Sequence, residues 1–241
     1  MMKLTFLGTR GYIEARTRRH YMHSALEIAY YGTSVMIDCG EDWLERIHEL
    51  RVAAVFVTHS HPDHAFGLKR GAPCPVHATE DAWDKMKAFE IESRKVIDVR
   101  KPIVIDGISV EAFPVEHSTR APAVGYRITA GKAAIFYVPD VVYIRDRADA
   151  LGGARLYVGD GATITRSMVR KPADALIGHT PVRTQLTWCE KVGVPRAIIT
   201  HCGSEIVEGD ERVLGAKLRE MAGERGVDVE IAYDGMEVVL R

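Results

Sequence analysis

Two kinds of hydrophobic pattern run along this chain, and their order outlines a fold. Apolar and polar positions alternate at residues 4–7, 25–30 and 35–37, which predicts three strands, the second and third joined by a hairpin turn at Tyr31-Gly32-Thr33. The nearly unbroken apolar run at 52–57 reads as a strand buried on both faces, and residues 42–50 before it read as a helix. Beyond it the pattern predicts a short helix at 65–70, a strand at 75–77 and a helix from 79 or 80 to about 88, with Thr79 a good N-cap. Strands follow at 96–99, 103–105, 108–115, 123–129 and 133–138, with Asp106-Gly107 and Ala130-Gly131 as hairpin turns. The second half then mixes strands at 156–158, 175–177, 196–200, 227–232 and 237–240 with helices at 181–191 and 210–222. This order predicts two sheets facing each other with helices outside, and no internal repeat is visible.

Composition narrows the class without naming it. The 241 residues suffice for one large domain over 1–241, and a content of 46% hydrophobic and 27% charged residues is that of an ordinary folded protein. No stretch approaches a membrane span, and residues 1–7 lack the features of a signal peptide, so cytoplasmic residence is expected by default. Cys39, Cys74, Cys189 and Cys202 include no Cys-x-x-Cys pair, which argues against a zinc ribbon or a disulfide framework and for buried thiols. A net charge of −1 excludes a generally basic nucleic-acid binder but leaves room for local patches. One patch gathers Arg10, Arg16, Arg18, Arg19 and His20 after the first strand; another gathers Arg166, Arg170, Lys171 and Arg183. Arg18 and Arg19 are the expected contacts to an anionic substrate, although solvated charged loops explain such patches equally well.

The chemistry is concentrated directly after the apolar run. Thr58-His59-Ser60-His61-Pro62-Asp63-His64 offers four ligand side chains in six residues, and imidazole with carboxylate is the donor set of zinc, manganese or iron. His117, Asp140 and His201 each stand just beyond a predicted strand, where strand ends can converge on one sheet edge. His179, in Gly178-His179-Thr180-Pro181, precedes a predicted helix for which Thr180 would be the N-cap and Pro181 the first residue. Asp38 and Asp160 also end strands near this edge and are candidates to orient ligand imidazoles.

This ordered series, His-x-His-x-Asp-His followed by His, Asp and His, with Leu7-Gly8-Thr9 and Asp38-Cys39-Gly40 upstream, resembles the metallo-β-lactamase superfamily over nearly the whole chain. Within it the chain is similar to the phosphodiesterase branch, which includes tRNase Z and the cyclic-phosphate phosphodiesterases. The resemblance implies an α/β protein with a four-layer αββα sandwich. It also implies a dinuclear centre in which His59, His61 and His117 hold one ion, Asp63, His64 and His201 the other, and Asp140 bridges. Asp63 and His179 are then the expected catalytic residues, His179 as general acid. Such a centre fits a phosphodiester in a nucleotide, a cyclic phosphate or a nucleic-acid end, and a homo-oligomer is compatible with it. The presence of Asp140 disfavours β-lactam hydrolysis. The lack of a long basic Gly/Pro-rich arm within 65–106 speaks against pre-tRNA. Two alternatives stay open: a lactonase or thioesterase, for which Tyr143 would contact substrate, and a metal-binding module without activity.

Overall fold

The computed structural model describes residues 1–173 and 175–241. The first sheet contains β1 (Met2–Gly8), β2 (Ala25–Tyr30), β3 (Thr33–Ile37), β4 (Ala54–Phe56), β5 (Val76–Ala78) and β6 (Arg94–Val96) side by side in that order. The second is built from β7 (Ile103–Ile105), β8 (Ile108–Glu116), β9 (Ala123–Ala130), β10 (Ala133–Val138), β11 (Tyr143–Ile144), β12 (Leu156–Asp160), β13 (Arg196–Thr200) and β14 (Asp228–Ile231). The last strand, β15 (Glu237–Leu240), returns to the first sheet and pairs antiparallel with β1. The hairpin turns Tyr31-Gly32 and Asp106-Gly107 lie entirely at positive φ, the backbone that suits the twist of paired strands, and the turn between β9 and β10 is Gly131-Lys132, one residue beyond the expected Ala130-Gly131, with Gly131 at φ 60.

Burial divides the molecule into layers. Leu4, Phe6, Leu26 and Ile28 of the first sheet meet Tyr126, Ile135, Val158 and Ile198 of the second in one core between the sheets. Behind the first sheet, Val55 and Val57 pack on Trp43, on Ala65 of α1 (Pro62–Ala65), on Leu68 and on Trp83 of α2 (Glu80–Lys85). Behind the second, Phe136, Tyr157 and Ile199 pack on α3 (Arg147–Leu151), α4 (Val182–Val192), α5 (Ser204–Val207) and α6 (Glu211–Gly223). The result is the αββα sandwich, and the all-buried pattern of β10 and β12 follows from cover on both faces.

Strand direction decides where the chemistry lands. In the second sheet β10, β12 and β13 are parallel, and β8 runs the same way because each of β8 and β10 is antiparallel to the β9 between them. The segments after β8, β10, β12 and β13 therefore leave from one edge, carrying His117, Asp140, Gly161 and His201. In the first sheet β3 and β4 are parallel, so Asp38 and the histidine run also leave from a common edge.

Several sequence expectations are corrected. Residues 42–50 form two short 3-10 turns, Glu41–Trp43 and Ile47–Glu49, with Glu45 between them at φ 70. The carboxylate of Asp42 is drawn out to Arg10, Arg16 and the His23 backbone, contacts that compete with a regular helix here. The expected helix at 65–70 begins earlier, as α1 (Pro62–Ala65), so Asp63 and His64 sit on it, and it continues only as a 3-10 turn, Phe66–Leu68. Residues 175–177 are not a strand. Ile177 bridges to Arg170, and the next amide, Gly178 N–H, goes to the His117 carbonyl. Finally, Thr180 does not cap α4; Pro181 occupies the cap, and the amides of Val182 and Arg183 are satisfied by the carbonyls of Thr163 and Ile164 instead.

Candidate metal centre

At the shared edge the side chains converge into two groups of four. His59, His61, His117 and Asp140 form one, and Asp63, His64, Asp140 and His201 the other, with Asp140 common to both. Asp140 Oδ2 lies 3.1 Å from His59 Nε2, 3.0 Å from His64 Nε2 and 3.4 Å from His117 Nε2. Its Oδ1 is 3.0 Å from His201 Nδ1, and His201 Nε2 is 2.9 Å from Asp63 Oδ2. A third grouping joins Asp140 and His201 with Asp160 and His179.

Tautomers set from outside aim lone pairs inward. His64 Nδ1 donates to Asp38 at 2.9 Å, and His117 Nδ1 donates to the Gly178 carbonyl at 3.1 Å, which in the neutral rings leaves both Nε2 atoms unprotonated towards the centre. Thr58 gives its hydroxyl proton to Asp38 at 2.9 Å, so its oxygen accepts from His59 Nδ1 at 3.0 Å and His59 Nε2 is likewise free. His61 Nδ1 then lies 2.9 Å from His59 Nε2 and 3.2 Å from His117 Nε2. Three nitrogens so close, with at most one proton to share, repel one another unless a cation lies among them. His64 Nε2, Asp140 Oδ1 and His201 Nδ1 are buried and make no directed hydrogen bond, despite the 3.0 Å separations from Asp140, because their lone pairs aim at a common point rather than at each other. The residues thus fit divalent metal: nitrogen and carboxylate donors, converging, with orphaned lone pairs. Burial alone would push Asp63 and Asp140 up, yet the neighbouring imidazoles hold both well below the usual carboxylate range.

The loop carrying His201 is clamped. His201 has φ 49, a left-handed backbone that a non-glycine residue adopts only when its surroundings enforce it. The enforcing contacts are Cys202 N–H to the Thr9 carbonyl at 2.6 Å and Gly11 N–H to the Cys202 carbonyl at 3.0 Å. Gly11 lets the two segments approach closely, since a Cβ there would stand 3.1 Å from the His201 ring, a tight contact. Gly178, at φ 104 with the Met168 carbonyl only 2.2 Å from where a Cβ would be, sets the approach of His179 in the same way.

His179 Nδ1 is 2.8 Å from Asp160 Oδ2 and 3.3 Å from Asp140 Oδ1, and its ring stacks on that of His201 at 5.6 Å. Burial lowers its pKa, but the charge and hydrogen bond of Asp160 outweigh this and raise it above the ordinary histidine value. Asp160 is in turn held by the amides of Val141 and Ala162, and its backbone by Gln185. Gln185 went unremarked in the sequence, although a polar residue on the apolar stripe Val182, Leu186 and Cys189 of α4 is a readable signal. Thr58, inside the histidine run, was likewise passed over as an orienting group.

A cavity of about 650 Å³ opens over this centre, lined by His61, Asp63, His117, Asp140, His179 and His201 together with the 11–13 and 162–168 loops and Gly203, Ser204 and Glu205. Arg166 reaches it; Arg18, Arg19 and Tyr143 do not line it. Arg18 and Arg19 border a separate hollow, where Arg19 pairs with Glu211 and lies over Tyr233. Tyr143 is exposed on β11 beside Arg147. Arg10, placed by sequence in a solvated patch, is 1% exposed and neutralised by Asp42 at 2.7 Å. His20 and His23 are buried rather than open to substrate.

Fold and site together define a class, and comparison with known proteins agrees. Residues 33–202 match the family model described as a beta-lactamase superfamily domain, and the chain belongs to that family. It is similar to the ribonuclease Z of Methanopyrus kandleri, 31% identical over 176 residues that cover 64% of this chain and 61% of that protein. The chain spans about half to three fifths of the length of the first such relatives. Among solved structures, it resembles the metallo-beta-lactamase fold protein YhfI from Bacillus subtilis with a TM-score of 0.78 at 17% identity, covering 98% of each chain. A diphosphatase from the PhnP family gives 0.72 at 17% identity, covering 100% of this chain and 98% of that one. At such identity these two likenesses show the fold.

Proposed function

We propose that this protein is a metal-dependent phosphodiesterase acting on a nucleotide, a cyclic phosphate or a nucleic-acid end, with two divalent ions per chain. His59, His61 and His117 would hold one ion and Asp63, His64 and His201 the other, with Asp140 common to both groups; zinc is the first candidate, manganese and iron suit the same donors. Ions held there supply Lewis acidity and an activated water at neutral pH. The chain does the rest. Asp63, which holds His201 through one oxygen, contributes negative charge to the cavity wall, and His179 would serve the leaving group.

The observation that carries this reading is the position of His179. It lines the cavity over the centre, yet neither of the two four-residue groupings that share Asp140 needs it. With Nδ1–H donated to Asp160 at 2.8 Å, its Nε2 is left to protonate a departing alkoxide, and Asp160 stabilises the imidazolium beforehand. A relative named ribonuclease Z and a structural neighbour named a diphosphatase point the same way. The lactonase or thioesterase alternative draws no support from Tyr143, which lies away from the cavity lining. The four unpaired cysteines fit a reducing compartment, the cytoplasm, and among the described residues no helix is long and apolar enough to cross a membrane.

The test is a panel of substrates on the metal-reconstituted chain: a phosphodiester, a phosphomonoester, a lactone, a thioester and a β-lactam, with metal content measured in parallel. Fastest turnover of the diester with two ions per chain is expected, and Asp140→Ala should lose most activity together with the bridge. A reproducible ratio of one ion under excess metal would sink the dinuclear centre, and preference for another ester would sink the substrate class.

A further inference from the structure

The cavity has two walls beyond the metal ligands, and each carries an exposed side chain that the reaction itself does not need. One wall is the 11–13 loop, which lies on the His201 side because Gly11 packs against that ring. Its Tyr12 lines the cavity with 65% of its surface exposed, in loose contact with the His23 ring at 6.2 Å between centroids. A large ring left open at the rim of a metal cavity is a stacking surface for a flat ligand. The other wall is the 162–168 loop, which lies on the His179 side because Met168 N–H donates to the His179 carbonyl at 3.2 Å.

That second wall is rigid at its backbone and open at its charge. The Thr163 hydroxyl donates to the Arg166 carbonyl at 2.7 Å, and Ile164 N–H donates to Glu205 at 3.0 Å. The Arg166 guanidinium pairs with no carboxylate among the described residues. Arg10, Arg16 and Arg19 differ: each has its carboxylate, Asp42 for the first two and Glu211 for the third. Glu205 lines the same wall, with Lys217 3.8 Å from its second oxygen. Arg166 offers its positive charge to one phosphate, while Glu205 on the same wall repels further phosphates, which disfavours a chain of them.

The structure assigns these walls a substrate: a singly charged phosphodiester bearing a nucleoside, its phosphate oxygen met by Arg166 and its base stacked on Tyr12. The assignment rests on the phosphodiesterase reading and narrows it to nucleoside-bearing diesters. A cyclic phosphate without a base would leave Tyr12 unused. Guanidinium suits phosphate because its planar fork donates two parallel hydrogen bonds, and stacking on a phenol ring tolerates any base because every base has a π-face. The pair therefore selects for class of ligand rather than for base identity.

The experiment compares three substrates with one leaving group on the metal-reconstituted chain: thymidine 5′-p-nitrophenyl phosphate, methyl p-nitrophenyl phosphate and p-nitrophenyl acetate. Tyr12→Ala should raise KM about tenfold for the thymidine diester and leave the methyl diester unchanged, while Tyr12→Phe keeps the wild-type value. Arg166→Met should raise KM for both diesters and not for the acetate. Calorimetric titration with thymidine 5′-methylphosphonate reads the same subsite without turnover and should show the same loss in Tyr12→Ala. If diesters are hydrolysed but Tyr12→Ala shifts both KM values alike, shifts neither, or is matched by Tyr12→Phe, the nucleoside subsite is wrong and the phosphodiesterase reading stands. If no diester is hydrolysed yet the phosphonate binds in a Tyr12-dependent way, the subsite stands and the reaction class is wrong.

Discussion

Asp38 with His64, and Asp160 with His179, are the same device built twice. Each is a buried aspartate at the end of a strand that accepts from a histidine Nδ1, at 2.9 Å and 2.8 Å respectively. Around Asp38 the remaining capacity goes to the Thr58 amide and hydroxyl, the whole group is buried, and the freed His64 Nε2 faces Asp63 and Asp140. Around Asp160 the partners are the amides of Val141 and Ala162, and His179 lines the cavity with 19% of its side chain exposed. Burial dominates at Asp38 and pushes its pKa up despite His64; at Asp160 burial also pushes up, but His179 and His201 hold the carboxyl below its ordinary value. On the proposed reading one hydrogen bond thus serves two ends: inside the protein it would fix a metal ligand, and at the cavity wall it would prepare a proton donor. What differs is access to substrate.

The largest effect should separate the two pairs outright. His179→Ala is expected to keep its metal while kcat falls roughly 10²- to 10⁴-fold for a nucleoside leaving group, and far less for p-nitrophenolate, which needs little protonation. Equal losses for both leaving groups, or lost metal by elemental analysis, would make His179 a ligand and erase the contrast. That outcome has a structural basis, since Asp140 Oδ1 is only 3.3 Å away.

The next effects test the two aspartates. Asp38→Asn should weaken metal affinity on the order of 10- to 100-fold, seen as easier loss to a chelator, with leaving-group dependence unchanged. Asp160→Asn should do the reverse, retaining metal and steepening the dependence of rate on leaving-group pKa. If the two variants behave alike, the comparison fails. The smallest change is a control far from both: the Asp210 carboxylate caps α6 by accepting from the amides of Arg212 and Val213, so Asp210→Ala should cost about 1 kcal/mol of stability in urea and alter neither metal content nor kcat.

How much of this was legible differs by element. Strands β10, β13 and β15 have the bounds the sequence predicts, β10 and β13 because two-sided burial and β15 because one-sided alternation are patterns that act over a few residues. The expected helix at 42–50 was not, because Asp42 is claimed by Arg10, Arg16 and His23, partners 19 to 32 residues away in sequence. The two arginine patches show the same limit. Their residue types promised anion contacts, yet Asp42 pairs with the buried Arg10, Glu211 pairs with Arg19, and of the second patch only Arg166 lines the cavity.

The sequence by itself determined the donor set, its order and its attachment to strand ends, since ligand chemistry is a property of residue type and a strand is a property of local pattern. Tertiary structure decided what those side chains do for one another. The common direction of β8, β10, β12 and β13 brings four segments to one edge. Thr58, Asp38 and the Gly178 carbonyl choose which nitrogen of each imidazole faces inward. The Thr9 and Gly11 contacts to Cys202 hold His201 in a backbone it would not adopt alone. Each of these depends on atoms remote in sequence approaching within hydrogen-bonding distance, and a pattern of neighbours along the chain carries no record of that.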